Sequence, residues 1–328
     1  MSFVRSGVVG VGSMGRYHAR VYSELAGVDL VGVADIDGTR AREMAERYHT
    51  SAYTDYRSLF GKIDVVSIAV PTPLHYSVAR VFLENGIHVL LEKPITNNLK
   101  QAEELFGIAH ANDVVLHVGH VERFKGPVSE LKRLVQEPFL IESRRMQPFN
   151  TRIRDDGVVL DLMIHDIDLI LNLVNAKVKQ VNAIGASIFS SDHEDVANVQ
   201  LVFENGCIAN ITASRATQLK IRTIAVSQKD AYIFLNLTDN DIHVHRETVS
   251  ESVLTDQLLR SKQTSQIERI FIYTRDDELK LELQHFLDCA TNGTKRVVSI
   301  DHELYSLQIA LEVLEMFGKN GVLIGQGE

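Results

Sequence analysis

The chain has 328 residues, 45% of them hydrophobic and 23% charged, with a formal net charge of −9. This is the composition of a water-soluble globular protein long enough for two domains with separate cores. The acidic balance and the lack of a basic stripe exclude nucleic acid as the expected partner, and no apolar run reaches the ~18–20 residues of a bilayer span. Two cysteines, Cys207 and Cys289, suit a reduced protein without a disulfide framework. A strand pattern begins within the first few residues and leaves no room for a signal peptide, so a cytoplasmic location is expected.

Residues 4–9 form an apolar strand that runs into Gly10-x-Gly12-x-x-Gly15, and residues 14–25 follow with helical spacing. The three glycines have the spacing that accommodates a dinucleotide pyrophosphate: a tight turn, close backbone approach to phosphate, and close packing of helix on strand. The helix N-terminus then offers unpaired N–H groups to the anion. A second strand, 30–34, ends at Asp35, where a carboxylate can accept hydrogen bonds from an adenosine ribose and would repel a 2′-phosphate. NAD is therefore expected rather than NADP, although Arg40, the nearest cation, could swing in.

Further strand patterns at 65–70, 88–91 and 114–118 alternate with helical patterns at 38–48, 75–85 and 98–110. Alternation of this kind predicts a parallel sheet with helices on both faces, with ligands beyond the carboxyl ends of the strands. The unusual residues gather at those ends: Gly10–Gly15, Asp35, Pro71–His75, Glu92-Lys93-Pro94 and Gly119-His120. After about residue 122 the pattern changes to an apolar helix at 158–174 and strands at 178–188, 196–203, 207–214, 221–227, 231–237 and 242–245. Glu204-Asn205-Gly206 marks a hairpin turn. The fold expected is α/β: a Rossmann doubly wound domain over 1–122, then an α+β domain over 123–328 with a large open antiparallel sheet. The polar stretch 247–266 reads as a mobile excursion, and helices at 277–291 and 301–318 close the chain.

On helix 158–174, Asp161, His165, Asp168 and Asn172 fall within about 60° of one another at helical pitch, on an otherwise apolar surface. Such a stripe is either hydrogen-bonded internally or lines a cavity. In the second case His165 can act as acid or base, with Asp161 orienting it or the substrate. No metal is expected, because zinc-type ligand patterns are missing.

In combination, Gly10-x-Gly12-x-x-Gly15, Asp35, Thr72-Pro73-x-His75, Glu92-Lys93-Pro94, Gly119-His120 and Asp161-x-x-x-His165 resemble the Gfo/Idh/MocA oxidoreductases, the glucose-fructose oxidoreductase and inositol dehydrogenase group. The resemblance spans essentially the whole chain. It implies hydride transfer between a nicotinamide and a carbohydrate or cyclitol carbon, with Lys93, Asp161 and His165 around the reacting hydroxyl. It further implies cofactor contacts from Gly10, Gly12, Ser13, Met14, Gly15, Asp35, Pro71, Thr72, His75, Glu92 and Lys93. Assembly into a homodimer or homotetramer through the open sheet follows from the same resemblance. Either Lys93 or His165 can be the formal base.

Arg144-Arg145-Met146-Gln147-Pro148-Phe149-x-x-Arg152, with Val118-Gly119-His120-Val121-Glu122-Arg123-Phe124, is similar to the branch holding UDP-N-acetylglucosamine 3-dehydrogenases. That similarity implies a nucleotide-sugar substrate met by His120, Arg123, Arg145, Arg152 and Asp168. The guanidinium forks of Arg123, Arg144, Arg145, Arg152 and Arg154 suit a diphosphate; alternatively some of these arginines pair with Glu142, Asp155 and Asp156 and bind nothing. The branch usually continues Arg-Phe-Asn-Pro, whereas Lys125-Gly126-Pro127 follows here. The alternatives are an inositol or free-aldose dehydrogenase and, in another class, a non-catalytic nicotinamide-binding sensor or scaffold.

Overall fold

The computed structural model describes residues 3–149, 156–190, 192–255, 259–273 and 277–320. Two compact units emerge, Met1–Phe124 with Arg275–Leu311, and Lys125–Thr274 with Glu312–Glu328. The chain thus returns to its first unit after leaving it, which a single cut at 122/123 does not contain.

The first unit is built on β1 (Val4–Val9), α1 (Gly15–Glu24), β2 (Val28–Ala34), α2 (Gly38–Tyr48), β3 (Ser51–Tyr53), β4 (Val65–Ile68), α3 (Thr72–Glu84), β5 (His88–Glu92), α4 (Leu99–Ala111) and β6 (Leu116–Gly119). All the pairings are parallel, in the order β3-β2-β1-β4-β5-β6. Chain order reverses between β1 and β4, the point where a ligand crevice opens beyond the strand ends. The strands expected from β-branched runs are all present. β3 is the addition, and three residues are too few to show a period.

The second unit begins with α5 (Gly126–Leu134) and β7 (Leu140–Met146), then a π-helical turn at Val159–Met163 that continues into α6 (Ile164–Leu173). Six strands follow as β8 (Val178–Ala186), β9 (Val196–Phe203), β10 (Ile208–Ser214), β11 (Ile221–Gln228), β12 (Ala231–Asn236) and β13 (Asp241–Leu254), and β14 (Leu259–Phe271) completes the sheet. Their order is β14-β13-β12-β11-β7-β10-β9-β8, antiparallel except where β7 runs parallel to β10. β7 was missed because its inward positions are Ile141, Ser143 and Arg145, so the alternation carries a cation where an apolar residue is the usual signal.

The stretch 247–266 is corrected from a mobile excursion to a two-stranded ribbon, β13 on β14 with register kept to Leu254↔Leu259. Beyond Arg246, β13 has no partner in β12. A ribbon held by its own ladder needs no hydrophobic period to form.

The closing helices are α7 (Glu278–Asn292) and α8 (Ile300–Asn320). Leu279, Leu283, Phe286 and Leu287 of α7 join Val8, Tyr22 and Leu90 in one core of the first unit. The other core holds Ile68, Phe82, Leu91, Leu105 and Leu307. Both faces of the parallel sheet are thereby covered, as such a sheet requires. Among the described residues no helix is long and apolar enough to cross a membrane.

Candidate functional site

The nucleotide corner is built where backbone meets backbone. Gly10 has φ of +81°, and a Cβ on it would lie 2.7 Å from the Ala69 carbonyl oxygen. A Cβ on Gly15 would fall 1.8 Å from the Gly10 carbonyl oxygen, so α1 can start this close to the turn only with glycine there. A Cβ on Gly12 would meet only Arg40 Nη1, at 4.0 Å, leaving main chain open to a phosphate. The residues present therefore fit a dinucleotide. Ser13 and Met14 are exposed at the start of α1. Asp35 closes the corner: its Oδ2 accepts from the Val11 N–H at 2.9 Å and its Oδ1 from the Asp37 N–H at 2.9 Å. Arg40 Nη1 stands 3.4 Å from Asp35, so the cation that could have favoured NADP is turned onto the carboxylate.

The ends of β4 and β5 hold a second group. Pro71 caps α3, and Thr72 and His75 lie buried in its first turn. His75 sits between two main-chain oxygens, Nδ1 2.8 Å from Pro94 O and Nε2 2.9 Å from Val70 O. Glu92 is buried, with Oε1 2.9 Å from His18 Nε2 and Oε2 accepting from the Lys93 N–H at 3.3 Å. Burial pushes the Glu92 carboxyl up. The His18 hydrogen bond and the charges of His18, Lys93 and His75 outweigh it and hold the group below the ordinary carboxylate range. Lys93 is half-buried at the strand end.

After β6, His120 and Arg123 are both turned to Glu303 of α8. The Arg123 fork reaches its two oxygens at 2.6 and 2.8 Å, and His120 Nε2 is 3.8 Å away. Glu282 of α7 is fully buried, facing the main-chain N–H of His120. Burial, reinforced by the charge of Glu92, pushes Glu282 well above the carboxylate range, and Arg123 offsets this only in part.

In the second unit the polar stripe rests on a distorted helix start. The Ile164 N–H reaches back to Val159 O, one residue further than an α-turn, and such π-turns recur at functional sites. Glu194 secures the entry: its Oε1 accepts from the Val159 N–H at 2.9 Å, and a Cβ on Gly157 would lie 2.1 Å from the Glu194 carboxyl. Asp161 and His165 are half-buried and Asp168 is buried. Asn172 accepts from Lys132 Nζ at 2.7 Å.

Arg145, expected at the substrate, is 2% exposed and bidentate to Asp166, at 2.6 Å from Nε and 3.2 Å from Nη2, while the Ser143 hydroxyl donates to the same carboxylate. Arg152 lies outside the described residues, and Arg144 is exposed. Sequence reasoning also missed His18, Asp166, Glu282 and Glu303. His18 had a signal, being three residues after Gly15 on the same helix face.

Two family descriptions match the chain: the Gfo/Idh/MocA oxidoreductase family with NAD-binding Rossmann fold over residues 4–120, and the Gfo/Idh/MocA C-terminal domain over 130–233. A UDP-N-acetylglucosamine 3-dehydrogenase from Acidithiobacillus ferrooxidans is 35% identical over 246 residues, 75% of this chain and 78% of its own. A solved structure of the enzyme of that name from the same organism superposes with a TM-score of 0.85, covering 96% of this chain and 98% of that one at 30% identity. A scyllo-inositol 2-dehydrogenase from Bacillus subtilis is 25% identical, covering 97% of this chain and 95% of its own.

Two substitutions test the electrostatics. Asp166→Ala leaves the buried Arg145 without this carboxylate and is expected to cost about 3–5 kcal/mol, read from urea unfolding; a loss below about 1 kcal/mol would make the pair dispensable. Folded Glu282 retains a proton that the unfolded chain releases above the ordinary carboxylate range. Stability should therefore fall as pH rises from that range toward the raised folded value. Glu282→Gln should remove this slope, so that the variant gains on the native protein by up to about 1.4 kcal/mol per pH unit; parallel unfolding curves at several pH values decide it.

Proposed function

Because the chain belongs to the Gfo/Idh/MocA family of NAD-binding oxidoreductases, we propose that it oxidises a secondary hydroxyl of a nucleotide sugar, at C3 of UDP-N-acetylglucosamine or a similar ring. The observation that carries this reading is the 35% identity to a UDP-N-acetylglucosamine 3-dehydrogenase over three-quarters of the chain. The glycine turn and Asp35 receive NAD, and Pro71, Thr72 and the Glu92–Lys93 strand end serve the same cofactor. Bound NAD supplies the hydride acceptor.

Removing a hydride from carbon also requires the hydroxyl proton to leave. In this reading Lys93, Asp161 and His165 serve that hydroxyl. An imidazole takes a proton near neutral pH, and a lysine ammonium stabilises charge developing on oxygen or shares the proton. A carboxylate at Asp161 holds the imidazole or a neighbouring hydroxyl. His120, Arg123, Arg145, Arg152 and Asp168 surround the substrate in the same proposal. Arg123 and Arg145 would do so through their hold on Glu303 and Asp166, since both forks are engaged.

That engagement favours a second reading, an inositol or free-aldose dehydrogenase, which needs no diphosphate contact; the scyllo-inositol relative spans 97% of the chain. The proposal includes a cytoplasmic setting and a homodimer or homotetramer assembled through the open sheet. Helices α5 and α6 pack against β7, β10, β12 and β13, while Ile184, Ile208 and Tyr232 are exposed on strands of that sheet, as a half-covered antiparallel sheet allows.

Single-turnover NADH formation with stoichiometric enzyme, NAD and UDP-N-acetylglucosamine separates the readings. A burst is expected in the native protein and is expected to vanish in Lys93→Ala while NAD still binds. A burst with scyllo- or myo-inositol alone would select the second reading, and an undiminished burst in Lys93→Ala would remove the lysine from the chemistry. Light scattering should return a multiple of the chain mass; a monomer would dismiss assembly through the sheet.

A further inference from the structure

We propose that His18 is a positioning residue for Lys93, acting through the carboxylate of Glu92. The inference rests on the reading that Lys93 serves the reacting hydroxyl, and it adds a residue to which neither the family motifs nor the functional reading gave a part.

His18 is fully buried on α1. Its Nδ1 makes no hydrogen bond among the described residues, so the ring's polar contact there is the Nε2–H donated to Glu92 Oε1 at 2.9 Å. The other Glu92 oxygen takes the main-chain N–H of Lys93 at 3.3 Å. Gly119 on the neighbouring strand makes room for this: a Cβ there would lie 3.2 Å from the Glu92 carboxyl. On the far side of Lys93, the Pro94 carbonyl is 2.8 Å from His75 Nδ1. Lys93 is therefore flanked by two groups held by histidines from different helices, the Glu92 carboxylate by His18 and the Pro94 carbonyl by His75.

The other charged and titratable groups around Glu92 are Lys93 itself, His75 from α3 and Glu282 from α7. Burial makes the contact with His18 consequential. A buried carboxylate with one oxygen unpaired is costly, and without the imidazole Glu92 would turn toward a new partner. The anion beside Lys93 and the hydrogen bond to its main chain would then move together. A displacement of about 1 Å at a reacting group can cost on the order of a hundredfold in rate.

The test uses the full-length protein with whichever sugar or cyclitol turns over. Three quantities are read in His18→Leu, His18→Phe and His18→Gln: NAD affinity, the single-turnover rate, and labelling of Lys93 by a trace amine reagent, followed by mass spectrometry against Lys100. His18→Leu should bind NAD within about threefold of the native protein but turn over about ten- to a hundredfold more slowly. Its Lys93 labelling should change by at least about threefold while that of Lys100 does not. His18→Gln, whose side-chain amide can donate from nearly the same point, should recover most of both. Should His18→Leu fail to fold, His18→Phe, which keeps a ring but no donor, carries the same comparison.

Unchanged rate and labelling, or a loss of NAD binding as large as the loss of rate, would overturn the inference. Failure of the parent reading looks different. Turnover surviving in Lys93→Ala, with Lys93 labelling still altered in His18→Leu, would take the lysine out of the chemistry and leave the hold of His18 on it intact.

Discussion

The contact on which the first unit turns is that of the Gly15 main chain against the Gly10 carbonyl, a space in which a Cβ would lie 1.8 Å from oxygen. A single methyl there would push α1 off the sheet, and more than the phosphate turn would be lost. Helical pitch places His18 nearly one turn after Gly15, where it reaches Glu92 at the end of β5. Tyr22, a further turn along, reaches the Ser67 hydroxyl on β4 at 2.9 Å. The depth at which α1 sits thus sets both the nucleotide corner and the strand end that carries Lys93. The glycine-rich turn and the Glu-Lys-Pro segment are far apart in sequence, yet one helix gauges the distance between them.

Buried charge follows a consistent rule in both units. Arg123 with Glu303, and Arg145 with Asp166, are paired forks in places where an unpaired guanidinium would be very costly. Glu92 stays ionised because a donor and nearby cations outweigh its burial, whereas Glu282, in the field of Glu92, is pushed toward the neutral acid. Two carboxyls of one region are thereby separated in charge by their surroundings. The same rule bears on substrate. An arginine engaged bidentately with an internal carboxylate can reach a diphosphate only by giving up that partner.

The doubly wound half was legible because each of its parts leaves a local trace. β-branched strands buried on both faces, amphipathic helices and glycines at fixed spacing all show within a few residues. Asp35 was readable for the same reason, although its role in holding Val11 and Asp37 was not. What escaped was whatever depends on a distant partner. β7 hides because Arg145 points inward, and that makes sense only once Asp166 is opposite. The return of α7 to the first unit hides because its apolar stripe would suit any core. The ribbon of β13 and β14 hides because a ladder closed on itself needs no hydrophobic face.

The polar stripe of the second unit shows how far helical arithmetic carries. Counting at a fixed angle sets Asp161, His165, Asp168 and Asn172 on one side, but the backbone widens by a residue between Val159 and Ile164. Asp161 sits inside the widened turn and His165 just after it, so their relative angle is set by the π-turn and not by regular pitch. A wide turn survives only where something pins its ends. Here Glu194 takes the Val159 N–H, and Gly157 has no Cβ to block the carboxyl. Glycine, acid and π-turn are therefore one device, and the orientation of the Asp161–His165 pair is decided by a carboxylate that neither of them needs to touch.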